Sequence, residues 1–355
     1  MKILRVLPSM DFGGIERGVY DFSSVATISG HKVVIVSGPG RFIPPLIEKG
    51  IRWYNLPMDK KTPAVFFRSI HQLKEIIKEE KPEIVHIQSR FPCWIAYYIK
   101  GDFSSTPFVT SIHNFYNFRW YSKATGKGDL VITVSNALKK YAIDYLNVPE
   151  DKIRVVYNGV EEDFAEIEKG HSSVIRIGMI ARFTMWKGHF CFLEALRKLH
   201  KGGYKIEGLI VGTGSNRYRG KLEEWVIKNG MRDIVNIQQM DAKEALKNID
   251  ILVVPSVKPE GFGRTVVEAQ MSKTPVIGTD IGALPELIKN GETGFLVNPG
   301  DSDSIADYIE KLMKDKVLYQ KISNYAQKNA IEKFSLKNMV ENTLNVYSEL
   351  LDRKY

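Results

Sequence analysis

KILRVLPSMDFGGIERGVYDFSSVATISGHKVVIVSG, residues 2–38, decides the fold. KILRVLP reads as a strand, GGIERGVYDFSSVATISG as a loop with paired glycines running into a helix, and HKVVIVSG as a second strand. Strands joined through a helix run parallel, because a parallel pair needs a long crossover. The pattern continues in EIVHIQS, PFVTSIH, LVITVS and RVVYNGV, with periodic helical segments such as PAVFFRSIHQLKEIIKEEKP and ALKKYAIDYLN between them. At residues 161–173 the texture changes to EEDFAEIEKGHSS, a polar and charged stretch that reads as a linker. A second alternating series follows: VIRIGMIAR, KIEGLIVG, IVNIQQ, DILVVPS, TPVIGTD and TGFLVNP, and the chain is helical from Asp301 onward. The expectation is two doubly wound α/β domains, 1–165 and 166–339, facing each other across a cleft, with ligands beyond the carboxyl ends of the strands.

The 355 residues suit two medium-sized cores, and 44% hydrophobic with 26% charged content is ordinary for a globular protein. Two cysteines, Cys93 and Cys191, far apart in sequence, exclude a disulfide framework or a zinc cluster. The first residues read as neither a signal peptide nor a membrane span, so a cytoplasmic location is expected. The net charge of +9 divides into 22 basic against 17 acidic residues up to 165 and 28 against 24 beyond. So even a surplus suits an anionic substrate, a membrane surface, nucleic acid or simple solubility, and selects none of them.

Four clusters could carry chemistry. In PEGFGRTVVEA, residues 259–269, Glu260 leads a Gly-Phe-Gly turn into a helix, with Glu268 two turns in. Gly261 and Gly263 permit close backbone approach, and a helix start offers N–H groups to an anion. An acidic cap on an ordinary helix would read the same way. In GMIARFTMWKG, residues 178–188, Arg182 and Lys187 share a strand-to-helix loop and could hold a diphosphate, or be two solvated charges. Gly13 and Gly14 follow the first strand without a full G-x-G-x-x-G pattern, so no dinucleotide cofactor is indicated. His113 ends a predicted strand and precedes Phe115, Tyr116, Phe118, Trp120 and Tyr121, a group that suits sugar stacking, a lipid-facing patch or core. Asp301 and Asp303 form a D-x-D that reads as a helix N-cap, so no metal site is expected.

Together these motifs resemble the retaining glycosyltransferases of family 4, which have the GT-B fold of two facing Rossmann-like domains. The Glu260-to-Glu268 spacing, the Arg182–Lys187 pair and the segments FGGIERGVYDF, VITVSNALKKY, VVYNGVEEDF and TDIGALPELIKNGETGFLVNPGD carry the likeness along nearly the whole chain. Trp186-Lys187-Gly188, Glu268-Ala269-Gln270 and the HNFY stretch are similar to transferases of bacterial lipopolysaccharide and surface polysaccharide. The resemblance implies transfer of a sugar from a UDP- or GDP-sugar to a glycan or lipid-linked acceptor, with neither a cofactor nor a required metal. Arg182 and Lys187 would then neutralise the leaving diphosphate, and Glu268 would bind the ribose. Glu260 would contact the donor sugar within a pocket shaped by Gly261, Phe262 and Gly263, and amides near Thr265 and Val266 would meet a phosphate. His113 would touch the donor sugar at the reacting centre, and Gly14 would approach the donor from the first domain. The last helix, about 340–355, would pack back on the first domain.

Two departures bear on the donor. Ala181 stands where the family commonly has Gly, and the segment holding Gln238 to Met240 is short, which leaves the choice of base open. A nucleotide-sugar epimerase would differ by isomerising its donor without an acceptor, and a non-catalytic sensing paralogue by binding without turnover. A nucleic-acid partner is not indicated. Peripheral association with an anionic membrane is a further expectation: Lys60, Lys61, Arg68, Lys74, Lys78 and Lys81 surround Phe66-Phe67, although an ordinary surface helix has the same makeup.

Overall fold

A computed structural model describes residues 1–11, 13–170 and 174–353. The first unit holds seven parallel strands: β1 (Lys2–Val6), β2 (Lys32–Ser37), β3 (Arg52–Asn55), β4 (Ile84–Gln88), β5 (Phe108–Ile112), β6 (Leu130–Thr133) and β7 (Ile153–Val155). Their order in the sheet is β3-β2-β1-β4-β5-β6-β7. Helices α1 (Gly14–Ile28), α2 (Ile43–Glu48), α3 (Pro63–Glu80), α4 (Arg90–Ile99), α5 (Arg119–Ser122) and α6 (Asn136–Asp144) connect them. The inner strands β1, β2, β4, β5 and β6 are largely apolar on both faces because helices cover both faces. Ile3, Ile35, Ile84 and Val109 face one buried cluster, and Leu4, Val34, Val85 and Phe108 the other.

The second unit has six parallel strands: β8 (Ile175–Ile180), β9 (Ile206–Val211), β10 (Val235–Gln238), β11 (Ile251–Val254), β12 (Val276–Thr279) and β13 (Phe295–Val297). Their order is β10-β9-β8-β11-β12-β13. The helices are α7 (His189–Lys201), α8 (Asn216–Lys228), α9 (Ala242–Lys247), α10 (Arg264–Met271), α11 (Leu284–Leu287), α12 (Ser302–Lys314) and α13 (Lys316–Phe334). Asp301 caps α12 through its carboxylate, which accepts from the Ser304 amide at 2.9 Å. Each sheet reverses its winding once, between β1 and β4 in the first unit and between β8 and β11 in the second. Loops leaving the carboxyl ends of these four strands border the crevices in which open α/β sheets bind ligands.

The last helix, α14 (Leu336–Asp352), belongs to the first unit, which otherwise runs from Met1 to Gly159. Tyr347, fully buried, packs edge-on against Phe22 of α1 with ring centres 6.0 Å apart. The second unit spans Val160–Ser335 and opens and closes on one bridge, where the Val160 amide donates to the Phe334 carbonyl at 2.9 Å. That bridge puts the junction at residues 159–160 rather than at 165. The stretch read as a linker is packed on the second unit as far as Gly170: Phe164 is buried, and the Lys169 ammonium donates to the Leu246 and Ile249 carbonyls, each at 2.6 Å. Its last three residues, 171–173, lie outside the described residues, as do Phe12 of the glycine-loop motif and the final two positions of the C-terminal stretch.

Candidate functional site

In the second unit, the loop after β8 carries Arg182 and Lys187, and the loop after its sheet neighbour β11 carries Glu260. Backbone contacts bind the two loops together. The Val257 amide donates to the Trp186 carbonyl at 2.8 Å. Gly188 turns into α7 at φ 78°, in the left-handed region, and a Cβ there would sit 1.8 Å from the Pro255 carbonyl oxygen. Only glycine permits that approach.

The approach brings the Lys187 ammonium to 2.5 Å from Glu260 Oε1, in a pair whose side chains are 23% and 16% exposed. The same oxygen accepts from the Ser256 hydroxyl. The far side of the Glu260 backbone is also held, since its carbonyl accepts from the Ala283 amide at 3.0 Å. Glu260 therefore stands on a fixed main chain, with a cation and a hydroxyl on its carboxylate. Arg182 is exposed on the same loop, and among the described residues no ion pair is formed by it.

Gly263, at φ 106°, caps α10, whose N-terminus opens directly behind Glu260 in the chain. Glu268 lies two turns in, buried, and accepts from Arg264 Nε at 2.9 Å. The i,i+4 spacing of that pair is readable in the sequence, yet Arg264 and Ser256 were missed as candidates. The Phe262 ring faces inward, 6.0 Å from the Phe334 ring, so only its backbone can shape a pocket. The Val266 amide closes the first turn of α10 on the Gly263 carbonyl at 2.9 Å, while Thr265 is half-buried beside it. His189, at the start of α7 and fully buried, has its pKa pushed down to about 4, chiefly by burial, with a smaller push from Lys187 and against a backbone hydrogen bond at Thr184. Gln238 and Met240 line a separate pocket with Arg176, Glu207, Asn236 and Asn248.

The remaining two candidates belong to the first unit. Gly14 opens α1, and a Cβ there would meet nothing within 4 Å, so its missing side chain leaves open space. His113 follows β5, with its Nε2 buried and unpartnered. Burial, with help from Arg5, pushes its pKa down to about 3, so the imidazole is neutral at physiological pH. The aromatic run after it divides. Phe115 and Tyr116 pack on α6, where the Tyr141 hydroxyl donates to the Tyr116 carbonyl at 2.9 Å, whereas Phe118 and Trp120 are 73% and 74% exposed.

Beside this, at the β1–β4 reversal, lies a pocket of about 280 Å³ lined by Asp59, Lys61, Ser89, Arg90, Asn114 and Tyr116, among others. Ser89 sits there at φ 73° and ψ 153°, a region almost confined to glycine. Strain of this kind costs about 1–3 kcal/mol and gathers at binding sites.

Comparison with known proteins matches residues 12–164 to the model of Glycosyltransferase Family 4 and residues 161–329 to that of Glycosyl transferases group 1. The crystal structure of a glycosyltransferase from Rickettsia africae ESF-5 superposes with a TM-score of 0.89 at 30% identity, covering 99% of this chain and 98% of that one. The capsular polysaccharide biosynthesis glycosyltransferase CapM of Staphylococcus aureus is 28% identical over 235 residues, 62% of each chain. Anabaena HepE in complex with UDP-glucose shares the fold, with a TM-score of 0.84 at 20% identity, over 98% of this chain and all of that one.

Proposed function

The chain belongs to glycosyltransferase family 4 and has the GT-B fold, and from that premise we propose that it moves a sugar from a nucleotide-diphosphate donor to a glycan or lipid-linked acceptor, with retention at the anomeric carbon. The observation that carries the donor half is the Lys187–Glu260 pair on two tied loops at a sheet reversal, ahead of a helix N-terminus. When the bond from the anomeric carbon to the diphosphate breaks, negative charge grows on the leaving oxygens. Arg182, Lys187 and the start of α10 are the groups that stabilise it. Lys187 then exchanges the Glu260 carboxylate for phosphate oxygens, which frees Glu260 to accept from donor-sugar hydroxyls. Glu268 takes the ribose hydroxyls, and the neutral His113 serves as a hydrogen-bonding group rather than a proton donor. We propose that the transfer needs neither a cofactor nor a metal, with Arg182 and Lys187 supplying the positive charge that meets the leaving diphosphate.

Thermal-shift screening against a panel of UDP- and GDP-sugars tests the donor half. One or more sugars should stabilise the protein, and Arg182→Ala and Lys187→Ala should lose both that shift and nucleotide release. Full turnover in both variants would overturn the reading.

The acceptor half rests on the pocket at the β1–β4 reversal, of a size for one sugar ring, with polar groups and the Tyr116 ring in its wall. One of its lining residues, Phe91, touches the Phe66 ring, centres 6.0 Å apart, and Phe66 touches Phe67 and Tyr98. From there an aromatic surface extends through exposed Tyr97 and Trp120, both packed against half-buried Trp94. Rings of this kind, half apolar and half polar, suit a membrane interface, and they make a pocket fed from a lipid surface the favoured acceptor side. The basic side differs from the sequence expectation: Lys74 pairs with Asp102 and Lys78 with Glu75, so the aromatic rings carry more of the case than the lysines of α3. Among the described residues no helix is long and apolar enough to cross a membrane. Anionic vesicles should pellet the protein at low salt, and a Phe67→Ser, Trp120→Ser variant should stay in solution. No pelleting of the parent protein would remove membrane attachment from the proposal.

A further inference from the structure

A buried cation interrupts the apolar run of β1. Arg5 stands in a central strand, 3% exposed, with its guanidinium carbon 4.5 Å from the centre of the Phe22 ring. Its Nη1 donates to the Tyr347 hydroxyl at 3.2 Å, its Nε is buried without a partner, and among the described residues no carboxylate pairs with it. A desolvated charge without a counter-charge is among the costliest things a core can hold.

The surrounding hydrogen bonds have one direction. Arginine only donates, so the Tyr347 oxygen accepts from it and the Tyr347 O–H donates to His86 Nδ1 at 2.6 Å. The neutral His86 then carries its proton on Nε2 and donates to the Ser111 hydroxyl oxygen at 2.5 Å. Ser111 is left with an O–H to donate. Arg5, His86, Gln88, Ser111 and His113 all line one cavity of about 30 Å³ under α1 and α14. Two further atoms of its lining residues, Gln88 Oε1 and His113 Nε2, are buried and unpartnered. No Asp or Glu lines it, and half-buried Ile15, Gly18 and Asn158 form its outer wall.

We propose that this cavity is a seat for a small anion, a halide or a single carboxylate group, held by Arg5 Nε–H and the Ser111 hydroxyl, with His113 Nε2–H and the Gln88 amide, turned to present its Nε2–H in place of Oε1, closing around it. Water would satisfy the dipoles but would leave the charge uncompensated, which an anion does not. A space of this size admits an ion or one carboxylate edge and no larger phosphorylated group. The seat lies wholly within the first unit and goes beyond the transfer reading, with which it shares only His113.

The test is broadening of the chloride NMR line by the intact protein, titrated with formate. The parent protein should broaden the line, formate should reverse it, and Arg5→Met should weaken the Arg5-dependent part about tenfold or more. Gln88→Leu, a smaller change, should weaken it several-fold and keeps the test usable if Arg5→Met does not fold. Displacement by glucuronate but not by glucose would identify an acid group borne on a sugar as the occupant; displacement by formate alone would identify a solution ion. Melting temperature should rise with formate in the parent protein more than in Gln88→Leu. Equal broadening in the parent and in every folded variant, with no such difference in melting temperature, would overturn the proposal.

Discussion

Replacing Gly188 by alanine asks whether the two site loops are forced together. At φ 78° and ψ 25° an alanine pays about 1–2 kcal/mol for the left-handed region alone. Its Cβ would lie 1.8 Å from the Pro255 carbonyl oxygen, far inside contact distance and against main chain rather than a side chain that could swing away. Overpacking of that kind adds about 1–3 kcal/mol, so the total expected loss is about 2–5 kcal/mol. Gly230 supplies the control, with φ 67° and nothing within 4 Å of a built Cβ, so Gly230→Ala should lose only the backbone part, about 1–2 kcal/mol. The clash can be relieved only by parting the β8 and β11 loops, which pulls Lys187 from Glu260. A displacement of about 1 Å at a reacting centre costs about a hundredfold in rate, so kcat/KM should fall by at least that in Gly188→Ala and stay unchanged in Gly230→Ala. Urea unfolding followed by circular dichroism gives the stabilities, and nucleotide release with the donor found by thermal shift gives the rates. Equal stability of the two variants, or full activity in Gly188→Ala, would refute the claim that loop contact builds the site.

Three further outcomes are expected. Lys187→Ala and Arg182→Ala should each lower kcat about a hundred- to a thousandfold in the nucleotide-release assay, the usual effect of removing one charge-stabilising contact, with far-UV circular dichroism unchanged. Stability should fall in acid: His189, with its pKa pushed down to about 4 by burial, is neutral when folded but takes up a proton near pH 6.5 when unfolded, so its contribution is complete above 6.5 and drains away toward 4, about 2 kcal/mol being gone by pH 5. His86 and His113, lowered by burial as well, add to the same slope, and a flat urea midpoint between pH 7 and 5 would contradict it. Both thiols should react slowly in the folded protein, since burial pushes Cys93 up and Cys191 up to about 11, and both should react at once in urea; rapid native labelling of Cys93 would show its site to be open.

Strands rich in β-branched and aliphatic residues between turn residues announce themselves, which is why β1, β2 and β4 to β13 correspond to runs visible in the sequence. β3 does not: Arg52–Asn55 is a short edge strand with no continuous apolar run. α4 was also passed over, because RFPCWIAYYI is apolar on most sides and carries a proline. The family motifs led to Arg182, Lys187, Glu260 and Glu268, but not to the partners that orient them. Ser256 is a serine at the end of a strand like many others, and only the fold brings its hydroxyl to Glu260. Arg5 was invisible for a different reason: a single cation in an apolar strand reads as an edge or exposed position until the neighbouring strands and α14 are seen to enclose it. The linker reading failed on the same ground, since the value of Lys169 lies in carbonyls almost eighty residues away.

The return of α14 to the first unit has a consequence for biosynthesis. Arg5 and Tyr347 are 342 positions apart, yet they share one hydrogen-bonded chain in one core. A nascent polypeptide leaving the ribosome can complete its second unit, Val160–Ser335, while the first still lacks its closing helix. The portion made first is thus finished last. A stop codon just after Ser335 would leave the later-made unit whole and expose the interior of the earlier one.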